Sequence, residues 1–156
     1  MAMVIEGEER IEAPVETVWQ ALNDPEVLKD CIPGCEELEK TSDTGFSAVV
    51  ALKIGPIKAR FNGAVELTNL NPPNSYTISG EGKGGVAGFA KGGADVSLKA
   101  DGPDATILTY SAKADVGGKM AQLGSRLIQS TSKKLAGQFF SDFNTRVSGG
   151  GEDAVA

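Results

Sequence analysis

The sequence predicts an α+β chain in which a curved antiparallel sheet of about seven strands wraps one long C-terminal helix, with two short helices after the first strand. Three observations predict it. Residues 119–147 (KMAQLGSRLIQSTSKKLAGQFFSDFNTRV) set Leu123, Leu127, Thr131, Leu135, Phe139, Phe143 and Val147 at a constant step of four, unbroken by Pro or a Gly pair, as an amphipathic helix requires. Residues 36–115 alternate instead with period two and carry recurrent turn signals, the pattern of an antiparallel meander. The last two of these strands hold mostly Gly and Ala on one face, where a close-packed core would carry Leu, Ile and Phe.

Taken in order, residues 4–12 read as an opening strand whose weak alternation, Ile5 and Ile11 among charges, suits an edge. Pro14 sits in the first turn of a short helix with Val15, Val18, Trp19 and Leu22 on its apolar side. Asp24 caps a second, with Val27, Leu28, Cys31 and Ile32 apolar until Pro33-Gly34; so brief a pair reads as a lid-like insertion. After a polar segment around Leu38, Phe46 to Ile54 alternate. Gly55-Pro56 turns the chain, and Ile57, Ala59, Phe61, Gly63, Val65 and Leu67 form the clearest half-buried strand. Residues 71–74 are a loop, Tyr76, Ile78 and Gly80 share the next inner face, and strands at 86–100 and 106–116 follow. In the C-terminal helix a four-residue step advances the apolar stripe about 40° each time. The stripe therefore winds along a rod of about 45 Å at about 1.5 Å per residue, and only a curved partner covers it. Its other face is polar, with Arg126, Gln129, Ser130, Lys133 and Asn144, and Asp115 is expected to cap it. This element order matches a helix-grip fold.

At 156 residues the chain suits one domain, residues 1–148, with 149–156 a flexible Gly-rich tail. A net charge of −6 without any basic run argues against nucleic acid. No stretch approaches the roughly eighteen apolar residues of a membrane span, and MAMVIEGEER is acidic where a signal peptide is apolar, so a cytoplasmic protein is expected. Histidine is absent, which removes imidazole triads and the commonest metal ligand. Cys31 and Cys35 have no further Cys or His to complete a zinc site; they are two reduced thiols beside a turn, or a disulfide or redox pair.

The Gly-rich run 80–93 lies between strands rather than before a helix, so it does not read as a phosphate loop. Glu6, Glu8, Glu9, Glu36, Glu37 and Glu39 read as solvated clusters, Glu66, Glu81 and Asp95 alternate outward, and no catalytic residue or metal ligand emerges. Phe139, Phe140 and Phe143 serve as plain core, as one end of a ligand cavity, or as a tip that touches a membrane or partner. The small-residue strand faces admit only the helix, or they leave a cavity beneath it. On the second reading Trp19, Phe61, Tyr76, Tyr110, Leu123, Leu127, Leu135 and Phe139 are the candidate ligand-binding residues, with Tyr76 or Tyr110 offering a hydroxyl to a carbonyl head group. An enzyme of cyclase or hydrolase type in the same cavity, or a docking or assembly protein without ligand, are the alternatives.

The segment Asp24-Pro-Glu-Val-Leu-Lys-Asp-Cys-Ile-Pro-Gly-Cys-Glu-Glu-Leu-Glu39 resembles the CoxG-like family of carbon monoxide dehydrogenase subunits, within the START-like (SRPBCC) helix-grip superfamily. Ala13-Pro-Val-Glu-Thr-Val-Trp19 and Ile54-Gly-Pro-Ile57 add to the match, which spans about residues 4–147. The resemblance implies a non-catalytic accessory protein of a carbon monoxide dehydrogenase, or of another molybdenum hydroxylase. It further implies a hydrophobic ligand, menaquinone or ubiquinone, with no tightly bound cofactor, and peripheral contact at the inner face of the cytoplasmic membrane. Some members continue into a hydrophobic C-terminal segment; this sequence ends at Ala156, so no permanent anchor is expected.

Overall fold

The computed structural model describes residues 2–149. Its order is β1 (Ala2–Ile11), α1 (Val15–Leu22), α2 (Pro25–Cys31), β2 (Cys35–Lys40), β3 (Gly45–Ile54), β4 (Ile57–Asn71), β5 (Ser75–Lys83), β6 (Phe89–Ala100), β7 (Thr106–Gly117) and α3 (Ser125–Asn144). All seven strands form one antiparallel sheet in the order β1-β7-β6-β5-β4-β3-β2. The two strands with the poorest apolar alternation, β1 and β2, are its edges, where one side of the backbone faces away from any ladder.

Side chains on the concave face fall into rows that run across the strands, because residues opposite each other share a face. One row is Ala48, Gly63, Gly82, Ala90 and Val116, and the next is Phe46, Val65, Gly80, Gly92, Ala114 and Met3. Farther along come Leu67, Ile78, Ala94, Ala112 and Ile5, then Tyr76, Val96, Tyr110 and Gly7. The face thus runs from small residues at one end to large ones at the other. The large end is closed by α1 and α2, whose Val18, Ala21, Leu22, Val27 and Cys31 are buried among Ile11, Phe46, Tyr76, Leu98 and Leu108. The pair is therefore an end plug inside the core, correcting the lid-like reading: too many of its apolar side chains are buried for it to swing. Asp24 caps α2 as expected, its Oδ1 accepting from the Glu26 amide at 2.9 Å.

The C-terminal helix departs from the sequence reading. A 3₁₀ segment, Gly118–Leu123, precedes it, and Gly124 breaks the helix with φ 91°, a conformation that side-chain-bearing residues avoid. What remains is 20 residues, about 30 Å at ~1.5 Å per residue, followed by a wide turn, Thr145–Gly149. Within α3 the four-residue ladder drifts about 40° per step, which leaves Leu127 to one side and Ile128 buried; the inward stripe is Ile128, Thr131, Ser132, Leu135, Phe139 and Phe143. Asp115 lies within β7 and is no cap for α3. Two residues of the supposedly solvated helix face bond to β1 or to the residue just after it: Gln129 Nε2 donates to the Val4 carbonyl at 3.2 Å, and the Glu12 amide donates to Asn144 Oδ1 at 2.9 Å. β6 begins at Phe89, because residues 85–87 form a 3₁₀ turn that leaves Val86 84% exposed. The Gly-rich tail read at 149–156 lies outside the described residues from 150 onward.

Candidate functional site

Between the sheet and α3 lies a wide cavity of about 490 Å³. Its floor is the small-residue end of the concave face, including Ala48, Gly63, Gly82, Ala90, Gly92 and Ala114, and Ile128, Thr131, Ser132 and Leu135 roof it. The glycines of this floor have different causes. A Cβ at Gly92 would run into the Lys113 carbonyl oxygen, and one at Gly93 into that of Ile78, so close strand approach dictates both. Gly82 has no atom within 4 Å of where its Cβ would be, and at Gly63 the nearest is the Glu81 carbonyl oxygen at 3.6 Å. At these two positions the backbone would accept a side chain, and the sequence leaves it out. Glycine in a strand costs about 0.5–1 kcal/mol relative to alanine, so the space is maintained against stability.

A second, more enclosed cavity of about 250 Å³ lies toward the large-residue end. Leu22, Leu28, Phe46, Leu67, Ile78, Leu108, Phe139 and Phe140 are among the residues that line it, and Tyr76 is the sole polar side chain among the described lining residues. Ile32, Ala48 and Val65 line both spaces, so single side chains separate them. Burial raises the ionisation of the Tyr76 phenol far above its usual range, and it stays neutral at any physiological pH.

The eight residues read from the sequence divide among these surroundings. Phe61 and Leu135 line the wide cavity, and Tyr76 and Phe139 line the deep one. Trp19 lines neither but packs edge-on against Tyr76, ring centroids 5.3 Å apart. Tyr110 is drawn away from both spaces: its ring covers Gly7, where a Cβ would collide with it, and stacks on Phe140 at 5.3 Å. Leu123 falls in the 3₁₀ segment and Leu127 lies over the Gly55 turn, its Cδ2 at 2.9 Å from where a Gly55 Cβ would be; the break at Gly124 takes Leu123 out of the helix, and the drift of the four-residue ladder takes Leu127 off its inward face. Residues the sequence reading passed over include Met3, Met120, Ile128 and Ile32. Inward parity on β1 pointed to Met3; Ile128 is apolar, but Thr131 and Ser132, three and four residues on, are polar, and the constant four-step ladder masked its inward position.

Of the three readings of the phenylalanine cluster, core holds for Phe143, which is 0% exposed and stacks on Phe139 at 5.6 Å, while Phe139 and Phe140 border the deep cavity. Cys31 and Cys35 are free thiols, and burial raises the pKa of each. Glu66, Glu81 and Asp95 are exposed, and Glu36 pairs with Arg60 at 2.6 Å on the surface. Lys53, Lys58 and Lys83 lie at the end of the molecule that holds the wide cavity, Lys83 paired with Glu81 at 3.4 Å, while at the other end Glu12 and Asp101 pair with Arg10. Lys53 and Lys58 face each other across the β3–β4 hairpin, a like-charge pair without an acidic partner among the described residues. Val86 and Phe89, which is 42% exposed, lie at the same end. No helix of the described residues is long and apolar enough to cross a membrane.

The family model for CoxG, a subunit of carbon monoxide dehydrogenase, matches residues 7–148. Among solved structures, a conserved protein from Geobacillus kaustophilus is 31% identical, with a TM-score of 0.88 over 94% of this chain and 95% of that one. A START superfamily protein from Mycobacterium smegmatis (15% identity, TM-score 0.69, 92% and 96% covered) shares the fold. So does the Zhui aromatase/cyclase from Streptomyces sp. R1128 (11% identity, TM-score 0.68, 97% and 99% covered). No curated protein sequence matches the chain.

Proposed function

This chain belongs to the CoxG family of carbon monoxide dehydrogenase subunits, and from that premise we propose that it is a non-catalytic carrier that holds a quinone or similar lipid between the sheet and α3. It serves a carbon monoxide dehydrogenase or a related molybdenum hydroxylase, in peripheral contact with the membrane. The observation that carries the reading is the pair Gly63 and Gly82, positions with room for a side chain and none present, beneath an apolar helix face. An apolar lining left facing water forgoes about 25 cal/mol per Å² of burial, which favours an apolar occupant. Water is a poor occupant of a lining that is almost wholly carbon. Each methylene of an isoprenoid tail transferred there contributes about 0.8 kcal/mol.

For a non-catalytic role over a cyclase- or hydrolase-type one, the support is that Tyr76, the one titratable side chain among the described lining residues of the deep cavity, is kept neutral by burial and so offers a proton-donating hydroxyl but no base. For the membrane, the support is the exposed Val86 and Phe89 at the same end as Lys53 and Lys58, which have no acidic partner among the described residues, a surface suited to anionic headgroups. Organic extraction of the purified protein followed by mass spectrometry is expected to release a quinone or lipid. Titration with menaquinone-4 is expected to change Trp19 fluorescence through its contact with Tyr76. In Gly82→Leu, which fills the floor, affinity is expected to fall at least about tenfold. An empty extract together with flat titrations would refute the reading. Co-sedimentation with anionic but not neutral vesicles tests the membrane part.

A further inference from the structure

Resting on that reading, we infer that the ligand lies with its polar end inward, its neutral hydrogen-bond acceptor held by the Tyr76 hydroxyl in the deep cavity and its apolar remainder in the wide one. Tyr76 is 4% exposed, and its ring is wedged in place by Trp19. Its hydroxyl makes no hydrogen bond to any described residue. Yet among the described residues no fully buried side-chain nitrogen or oxygen lacks a partner, so this oxygen borders cavity space and not packed carbon. Without a ligand only water can pair with this hydroxyl, in a space whose other described side chains are all carbon, so the site favours an occupant that brings its own acceptor. Tyrosine at this position is therefore explained by a partner that arrives with the ligand.

The surroundings define that partner. Every other described lining side chain is hydrocarbon, so a charged head group would be stripped of water with no described counter-ion and is rejected. A carbonyl or ether oxygen accepts one phenolic proton and needs nothing further. The space of about 250 Å³ equals about eight water volumes at ~30 Å³ each, enough for a small ring system but not for a long chain as well. The wide cavity is the complement: its hydroxyls, on Thr131 and Ser132, lie at the partly exposed roof, and the rest of its floor suits a tail. The ring end fits the deep cavity and the tail the wide one.

Three proteins, wild type, Tyr76→Phe and Tyr110→Phe, would be titrated with menaquinone-4 and with squalane, a hydrocarbon lacking any acceptor. Tyr76→Phe is expected to bind menaquinone-4 about tenfold more weakly, to bind squalane unchanged, and to melt no lower than wild type. Infrared spectra of carbonyl-labelled menaquinone-4 are expected to show one of its two carbonyl stretches lowered in wild type and in Tyr110→Phe, and restored in Tyr76→Phe. Equal quinone affinity in Tyr76→Phe and wild type, two unshifted carbonyls in wild type, or a shift lost with Tyr110 instead of Tyr76 would each overturn the inference while leaving the carrier reading intact. Failure of wild type to bind either compound would overturn both.

Discussion

The two ends of the concave face are built from the same seven strands and solve opposite problems. At one end Leu67, Tyr76, Leu98 and Leu108 meet α1, α2 and Phe143 and pack into a core; at the other Gly63, Gly82, Ala48 and Ala90 face a helix they do not touch closely enough to fill the gap. Most of the packed core and most of the open space thus lie at different ends of one sheet, with the deep cavity between them. The packed end holds the fold together, while the small-residue end forgoes burial that, on the proposed reading, a ligand supplies.

That division can be broken most severely at Phe143. Phe143→Ala opens a hole where nothing is exposed, and denaturant unfolding is expected to show a loss of about 3–5 kcal/mol. Gly92→Ala comes next: its methyl meets the Lys113 carbonyl, and strand displacement is expected to lower stability by about 1–3 kcal/mol, read as a drop in melting temperature. Gly82→Ala sharpens the comparison by its opposite sign. Its methyl has open space around it, so a gain of about 0.5–1 kcal/mol is expected, with a smaller cavity and weaker ligand binding. If Gly82→Ala destabilised as Gly92→Ala does, the claim that its space is held open for a ligand would fail.

The smallest effect is invisible at neutral pH. Burial in the folded state raises the Tyr76 ionisation above the ordinary phenol value of 10.0, so the folded protein keeps a proton that the unfolded chain gives up. The associated stability is complete below that value and is lost as pH rises from it toward the raised folded pKa. Melting curves between about pH 9 and 11 are expected to fall less steeply for Tyr76→Phe than for wild type.

Much of this architecture is legible along the chain because its signals are local. Alternation marks the half-buried strands, Asn71-Pro72-Pro73-Asn74 marks a loop, and Gly and Ala at inward parity mark the open end. The helix start was not legible: a lone Gly inside a helical pattern costs only about 1 kcal/mol, so Gly124 does not announce a break. The split between Tyr76 and Tyr110 was also hidden, since both lie at inward parity and differ through the residue opposite, Val96 for both but Gly7 beside Tyr110 alone. Gln129 and Asn144 read as solvated because the groups they bond are backbone atoms of an edge strand, or of the residue just after it, 125 and 132 residues away. The deep cavity draws its wall from both short helices, six strands and α3, an assembly no window of sequence displays.

The bonds that fasten α3 are not evenly placed. Near its C-terminal end Asn144 ties it to the residue just after β1, and Arg146 in the following turn pairs with Asp30 of α2, so both flanks are held. At its N-terminal end Gln129 secures the β1 flank, while toward β3 the contact described is apolar, Leu127 resting on Gly55. The helix is a beam built in at one end and propped on one side at the other. Its N-terminal end is therefore the less tethered one, and a force there loads the apolar contact of Leu127 with Gly55 where no described polar tie shares it.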